Sequence, residues 1–261
     1  MPTIKLPDGQ PKRPINMLRR TLAPQTIVHA HSHNWGQFIY AYEGTLDITT
    51  PDGRYLAPPN RGVWVPSNTP HEVSTLGGAE LSSVYITVEE SASLEKICQV
   101  VEVSGLLREL IFEALQRPIS YDWLSQTGRL FRIVRDQIAS AKAVPLHLPF
   151  PRDSRLLKVC ASLQRDPGNQ DNLECWGNHV GASERTLQRL FQKETGISFR
   201  SWRQQLRLQV ALQRLVTTSD SITHIASDLG YESSSAFIAM FKGQLGVTPG
   251  GYSRSLNRKN L

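Results

Sequence analysis

Two groups of side chains in this 261-residue chain have types and spacings that could do chemistry. The first is rich in imidazole. Four of the seven histidines, His29, His31, His33 and His71, lie in the N-terminal third. In an extended strand His31, His33 and Gln37 share parity, so their side chains share a face. Imidazoles gathered there can ligate a metal, contact a small molecule or bond to one another. The second group sits far downstream. Arg185, Gln188, Arg189 and Gln192 recur at helical spacing, opposite the apolar Leu187, Leu190 and Phe191. Such a face suits base edges, since Arg pairs bidentately with guanine and Gln with adenine.

The elements that would hold the second group repeat along the chain. Residues 171–174 read as a capping box opening a short helix that presents Leu173, Trp176 and Val180. Gly181, Ala182 and Ser183 make a turn, with Gly181 free to take positive φ and Ser183 capping a helix over 184–195. The pattern then recurs: Ile222, Ile225, Ala226 and Leu229, a Gly230-Tyr231-Glu232 turn, and Ser233 capping a helix with Phe237, Met240 and Phe241 inside. A short helix, a glycine turn and an apolar-anchored second helix, repeated once, is a tandem helix-turn-helix. Between the copies a helix over 199–215 carries Trp202, Leu206, Val210 and Leu212 inward, with Arg203, Arg207 and Arg214 among its polar positions. A rod of that length can hold two recognition helices about 34 Å apart, one turn of B-DNA. A helix over 153–166 precedes the repeat and turns Leu156, Leu157, Val159, Cys160 and Leu163 to the core.

Charge follows the same division. Residues 1–150 hold 14 Lys and Arg against 14 Asp and Glu, whereas residues 151–261 hold 15 against 9 and carry the whole net charge of +6. A neutral half joined to a basic half fits one domain facing small molecules and another facing phosphates. Three prolines within 143–152 read as an extended linker between them. Upstream, segments 26–30, 37–50, 62–65, 71–75 and 81–88 are rich in Val, Ile, Thr, Tyr and Trp and are separated by turn chemistry. They predict a sandwich or small barrel over 20–90. From 93 to 142 the period becomes helical: Leu106, Leu107, Leu110, Ile111, Ala114 and Leu115 mark one helix, and Leu124, Leu130, Phe131, Val134 and Ile138 a second. These helices either cover a sheet face or form a dimer interface. Cys98, Cys160 and Cys175 lack metal-type spacing and read as buried, inert thiols of a reduced compartment. Residues 1–20 show no signal-peptide pattern, and no apolar run approaches the roughly 18 residues of a spanning helix. A cytoplasmic protein without membrane contact is expected.

The run LECWGNHVGASERTLQRLFQKETGISF (173–199), with WRQQLRL (202–208), IASDLGYES (225–233) and FKGQLGVTP (241–249), closely resembles the AraC/XylS family of bacterial transcription regulators. The resemblance covers residues 155–255. It implies base-reading positions at Arg185, Gln188 and Arg189, and in the second unit at Ser234, Ser235, Ile238 and Ala239, where other members place Arg or Gln. Gln192 and Lys242 complete the candidate DNA contacts, with Lys242 toward phosphate. The second unit is expected to read bases weakly, through thymine methyls and phosphate positioning.

Two further strings, HSHNWGQ (31–37) followed by Gly44, and PSNTPH (66–71), resemble the two cupin motifs. They imply a jelly-roll barrel whose interior receives the face shared by His31, His33 and Gln37. With His71 these residues would form a three-nitrogen, one-oxygen site for divalent Zn, Ni, Mn or Fe. Gln37 stands where cupin enzymes usually carry glutamate, and an amide adds no negative charge. The alternative is a plain effector pocket lined by His31, His33, Gln37, Tyr40, Trp64 and His71, with the nearby aromatics as walls or as core.

The reading is an α+β chain of two domains: a cupin-like β-barrel (jelly roll) with two following helices, then an all-α tandem helix-turn-helix domain. Residues 1–142 would sense and dimerise, 143–152 would link, and 153–261 would bind DNA through units at 171–195 and 221–243. The expected function is a homodimeric transcription regulator, activating through RNA polymerase at promoter DNA under control of a small organic effector, with no catalysis. One competing reading is a metal-dependent cupin enzyme, of dioxygenase or isomerase type, fused to a DNA-binding domain. Another is a nucleoid-type binder without an effector, whose binding would rest on the electrostatic contribution alone.

Overall fold

Alternation of apolar and polar residues organises the N-terminal half into two five-stranded sheets. The computed structural model describes residues 13–257. In the first sheet the order is β1 (Ile15–Leu22), β8 (Ala79–Ile86), β3 (Gly36–Gly44), β6 (Arg61–Val65) and β9 (Gln99–Glu102), each neighbouring pair antiparallel. In the second it is β10 (His147–Pro149), β5 (Gly53–Ala57), β4 (Leu46–Thr50), β7 (His71–Thr75) and β2 (Thr26–His31). Sequence neighbours are thus dealt between two sheets, the double-sheet arrangement expected of a jelly roll.

One face of the first sheet is sealed by helices. Phe38, Tyr40, Trp64, Val84, Ile86, Ile15 and Met17 pack with Leu107, Ile111 and Ala114 of α1 (Gly105–Leu115) and with Phe131, Val134 and Ile138 of α2 (Gln126–Ala139). Tyr121 pins the arrangement: its hydroxyl donates to Ile15 O at 2.7 Å while its ring stacks on Phe131. Serine caps start both helices. Ser104 Oγ accepts from the Leu107 N–H and Ser125 Oγ from the Gly128 N–H, satisfying donors that would otherwise lack partners.

Several expectations change here. Residues 93–142 are not helical throughout, because 99–102 pair with β6 as β9. Leu106 and Leu124, read as marking the two helices, are 59% and 76% exposed, and Leu124 precedes the second helix, which starts at Gln126. The sheet begins at Ile15, ahead of the expected barrel. The Pro-rich segment 143–152 is extended and the boundary between two compact units falls inside it, but it also carries the fully buried Leu146 and Leu148 and the short strand β10. The chain divides into two compact units, one of residues up to 51 with 55–147, the other of 52–54 with 148 onward. Of the cysteines only Cys160 is buried; Cys98 is half-buried and Cys175 exposed. Burial alone raises the Cys160 thiol pKa, which keeps it inert.

The C-terminal unit is helical: α3 (Ser154–Arg165), α4 (Leu173–Val180), α5 (Glu184–Thr195), α6 (Phe199–Thr217), α7 (Ile222–Asp228), α8 (Ser234–Leu245) and α9 (Pro249–Asn257). Leu156, Val159, Leu163, Leu173, Trp176, Leu187, Phe191, Trp202 and Leu206 form the core of its first part. Phe237, Phe241 and Tyr252 meet edge-on in series in the second. The cap of α4 is Asn172 rather than Asp171, with Oδ1 accepting from the Cys175 N–H at 2.9 Å. Leu157 faces out at 46% exposure, and Val180, Val210 and Met240 are half-buried. Arg207, read as a polar position, is buried at 8% exposure. Among the described residues no helix is long and apolar enough to cross a membrane.

Candidate nucleic-acid interface and histidine cluster

Each helix-turn-helix is built by a glycine and a serine. Gly181 ends α4 at φ +70°, and Ser183 Oγ accepts from the Thr186 N–H to start α5. Gly230 takes φ +71° after α7, and Ser233 Oγ accepts from the Ala236 N–H to start α8. Positive φ is where glycine carries no steric cost, so these positions set the turn geometry. Leu187, Leu190 and Phe191 anchor one face of α5, with Phe191 packed against Phe199 and Trp202. The other face is polar and open.

On that face Arg185, Gln188 and Arg189 are exposed, and among the described residues none is held by a hydrogen bond or ion pair. Gln192 is also exposed, but its amide donates to Gly196 O at 3.0 Å, closing the end of its own helix. Three of the four arginines of α6 are different, being engaged inside the unit; Arg200 is exposed. Arg203 donates to Asp171 O, Arg207 to Pro167 O, and Arg214 pairs with Asp220 and Asp228. On α8, Ser235, Ala239 and Lys242 are exposed while Ser234 and Ile238 are half-buried. One recognition helix therefore offers free guanidinium and amide groups, the other mostly small side chains.

The histidines converge. Ligand nitrogens of His31, His33 and His71 all lie within 4.8 Å of one another. His31 ends β2, His71 opens β7, and His33 sits on the connection between β2 and β3, so the convergence comes from three elements rather than one strand face. His29 is exposed and outside the group. Each of the three Nδ1 atoms faces a backbone carbonyl at 2.8 Å: His29 O for His31, Trp35 O for His33 and Thr69 O for His71. A carbonyl only accepts, so Nδ1 carries the proton in each ring and a neutral imidazole presents a bare lone pair at Nε2.

Those lone pairs point into the cluster. Gln37 Oε1 lies 3.0 Å from His33 Nε2 and 3.3 Å from His71 Nε2, while Gln37 Nε2 donates to Ser83 Oγ. His31 Nε2 is buried without a partner. Burial lowers the pKa of His33 and pushes that of His71 down to about 4, so both rings favour the neutral form. Trp35 stacks on His33 with ring centroids 4.8 Å apart, and Tyr85 meets it edge-on.

Tyr40 and Trp64 do not join this group. Both lie in the core shared with α1 and α2, on the opposite face of the sheet from Gln37. The Trp64 indole donates to Glu95 O. Ser83 and Tyr85 are the neighbours that sequence reasoning missed, whereas Trp35 is among the nearby aromatics that the sequence leaves open as wall or core. Strand pairing could have found both, because Gln37 sits opposite Tyr85 and Ile39 opposite Ser83 on that face.

A helix-turn-helix domain model matches residues 176–255 and a cupin domain model matches residues 18–87. The HTH-type transcriptional regulator NimR of Escherichia coli is 37% identical over 223 residues, covering 85% of this chain and 81% of that protein. This chain belongs to the AraC/XylS family of transcription regulators. RipA of Corynebacterium glutamicum, another HTH-type transcriptional regulator, is 37% identical over 106 residues, 41% of this chain and 31% of its own length. Among solved structures, ToxT from Vibrio cholerae is 14% identical with a TM-score of 0.40, covering 92% of this chain and 98% of that one.

As an AraC/XylS regulator with a cupin domain, the protein acts by binding DNA rather than by turning over a substrate. Its two helix-turn-helix units fall within or beside the matched span. The histidine cluster lies within the matched cupin span.

Proposed function

We propose that this regulator reads promoter DNA unevenly, with α5 as the base-reading helix and α8 chiefly a positioning one. The observation that carries the reading is the open face of α5, where Arg185, Gln188 and Arg189 are exposed and unengaged. Arg185 and Arg189 suit guanine O6 and N7, and Gln188 suits adenine. Gln192, already bonded to Gly196 O, serves the backbone or a flanking base. On α8, Ser234, Ser235, Ile238 and Ala239 supply short hydroxyls and apolar contact, and Lys242 meets phosphate. Footprinting with Arg189→Ala tests this. The variant should lose about 1–3 kcal/mol of affinity and relax preference at one base position. An unchanged footprint would remove α5 from direct readout.

The N-terminal unit is the sensor in this reading. A small organic effector binds inside the cupin barrel beside His31, His33, Gln37 and His71, with Trp35 and Tyr85 as the aromatic walls in place of Tyr40 and Trp64. The same residues fit a divalent cation such as Zn, Ni, Mn or Fe: three Nε2 lone pairs and one amide oxygen face one another, and each ring is oriented by a backbone carbonyl. Such a metal would supply a Lewis-acidic anchor for an effector oxygen.

The protein works in the cytoplasm as a homodimer. Exposed Leu106 of α1 and Ile133 of α2 give an outward apolar surface on the two helices proposed to pair. Ligand binding acts by favouring one of two dimer arrangements, and activation follows from contact with RNA polymerase.

A further inference from the structure

The segment joining α3 to α4 is gripped from two sides. Arg207, buried on α6, donates from Nε to Pro167 O at 2.9 Å and from Nη2 to Asn169 O at 3.0 Å, with Gly168 O at 3.5 Å. One turn earlier on α6, Arg203 donates to Asp171 O at 2.9 Å. The guanidinium of Arg207 also lies over the ring of Tyr231, 5.5 Å from its centroid. Tyr231 belongs to the turn of the second helix-turn-helix, so one side chain touches the entry to the first unit and the turn of the second.

The two units also meet directly. The Gln170 amide donates to Gly230 O. A Cβ on Gly230 would stand 2.4 Å from Gly168 O, and a Cβ on Gly168 would stand 2.3 Å from Asp228 O. Backbone approaches this close leave no room for one unit to slide past the other without breaking the bonds named above. A helix such as α6 fixes the separation of what hangs on its ends but leaves each unit freer to rotate about its attachment. The Arg207 contacts remove that freedom.

We infer that Arg207 is a positioning residue that sets the half-site spacing this regulator accepts, by locking the two helix-turn-helix units into one body through residues 167–171 and Tyr231. It touches no base. Its charge is taken up by backbone carbonyls and an aromatic face, so its effect on DNA runs through the relative placement of α5 and α8. One inserted base pair rotates the far half-site by about 35° and shifts it along the helix axis. A rigid pair of units cannot follow that rotation; a loosened pair can.

The inference rests on the reading that α5 and α8 engage one duplex, and the test separates the two. The full-length protein is first used to select an operator from random-sequence duplexes. Affinity is then measured on that operator with one or two base pairs inserted or deleted between the half-sites. The wild type should lose about tenfold or more for a single insertion, the scale of one or two lost base contacts. Arg207→Met should flatten that profile to within about threefold across the spacings, with base preference inside the α5 half-site retained. Tyr231→Leu and Gln170→Ala loosen the same contacts from the other side and should flatten it partially, which keeps the test decisive if Arg207→Met does not fold. Variants that weaken binding equally at every spacing, with the wild-type profile intact, would overturn the inference. A wild type indifferent to spacing would instead overturn the reading that both helices share one duplex.

Discussion

His33 Nε2 and Gln37 Oε1 face each other at 3.0 Å, and on a neutral ring both are acceptors. His71 Nε2 approaches the same oxygen at 3.3 Å under the same constraint. Two arrangements relieve the conflict. A cation takes the four lone-pair donors, or the amide turns so that its NH2 donates to both rings while its oxygen accepts from Ser83.

These arrangements differ in a measurable way. Protein purified without a histidine tag should retain close to one equivalent of divalent metal, lost in His31→Ala and in His71→Ala. Gln37→Glu adds a charged oxygen at the same place and should slow metal loss to a chelator. Metal-free wild type after dialysis against zinc would mean that the turned amide prevails.

His71 makes stability depend on pH in the metal-free protein. Its folded pKa, held near 4 by burial, lies below the ordinary 6.5, so between those values the unfolded chain binds the extra proton. Stability is therefore full above pH 6.5 and falls as pH drops toward 4. His71 should contribute about 2 kcal/mol of the loss between pH 7 and pH 5 by urea denaturation, and His71→Gln should remove that share while the part due to His33, whose pKa burial also lowers, persists. An equal slope in wild type and variant would assign it elsewhere.

Tyr40 offers a contrast. Its hydroxyl is fully buried without a partner, and burial pushes its pKa up to about 12. Tyr40→Phe removes an unsatisfied group and should leave stability unchanged or raise it by about 1 kcal/mol. Ligand and metal binding should not respond, since the ring faces α1 and α2. A changed metal content in this variant would contradict the assignment of faces.

The two turn glycines should differ. At Gly181 a Cβ meets nothing within 4 Å, so Gly181→Ala carries only the cost of positive φ, about 1 kcal/mol. At Gly230 the same change also drives Cβ to 2.4 Å from Gly168 O, and thermal denaturation should show a clearly larger loss. Equal losses would mean that the two units are not tightly apposed.

What the sequence made legible was local. Turn glycines, serine caps and apolar spacing identify a helix-turn-helix within some twenty-five residues, and both units appear where those signals place them. The histidine convergence was legible from residue types and motifs, although three elements produce it. Placing Tyr40 in the pocket was an error that alternation could have prevented, because Gln37 and Tyr40 stand an odd number of residues apart on β3. Elements defined by distant pairing were harder. In β1 the pair Arg19-Arg20 masks a strand paired along β8, and β9 lies within a stretch of helical period but pairs with β6. Arg207 looked like a surface residue because its carbonyl partners lie some forty positions earlier. Periodicity carries no record of such partners.

The central claim is that this AraC/XylS regulator reads DNA chiefly through α5. Selection of bound duplexes from a random pool, followed by affinity measurement at every single-base change, tests it directly. The account predicts strong preference at the positions facing Arg185, Gln188 and Arg189, about 1–3 kcal/mol per mismatch, and weak preference where α8 lies. Equal preference in both half-sites, or stronger preference in the α8 half-site, would contradict it.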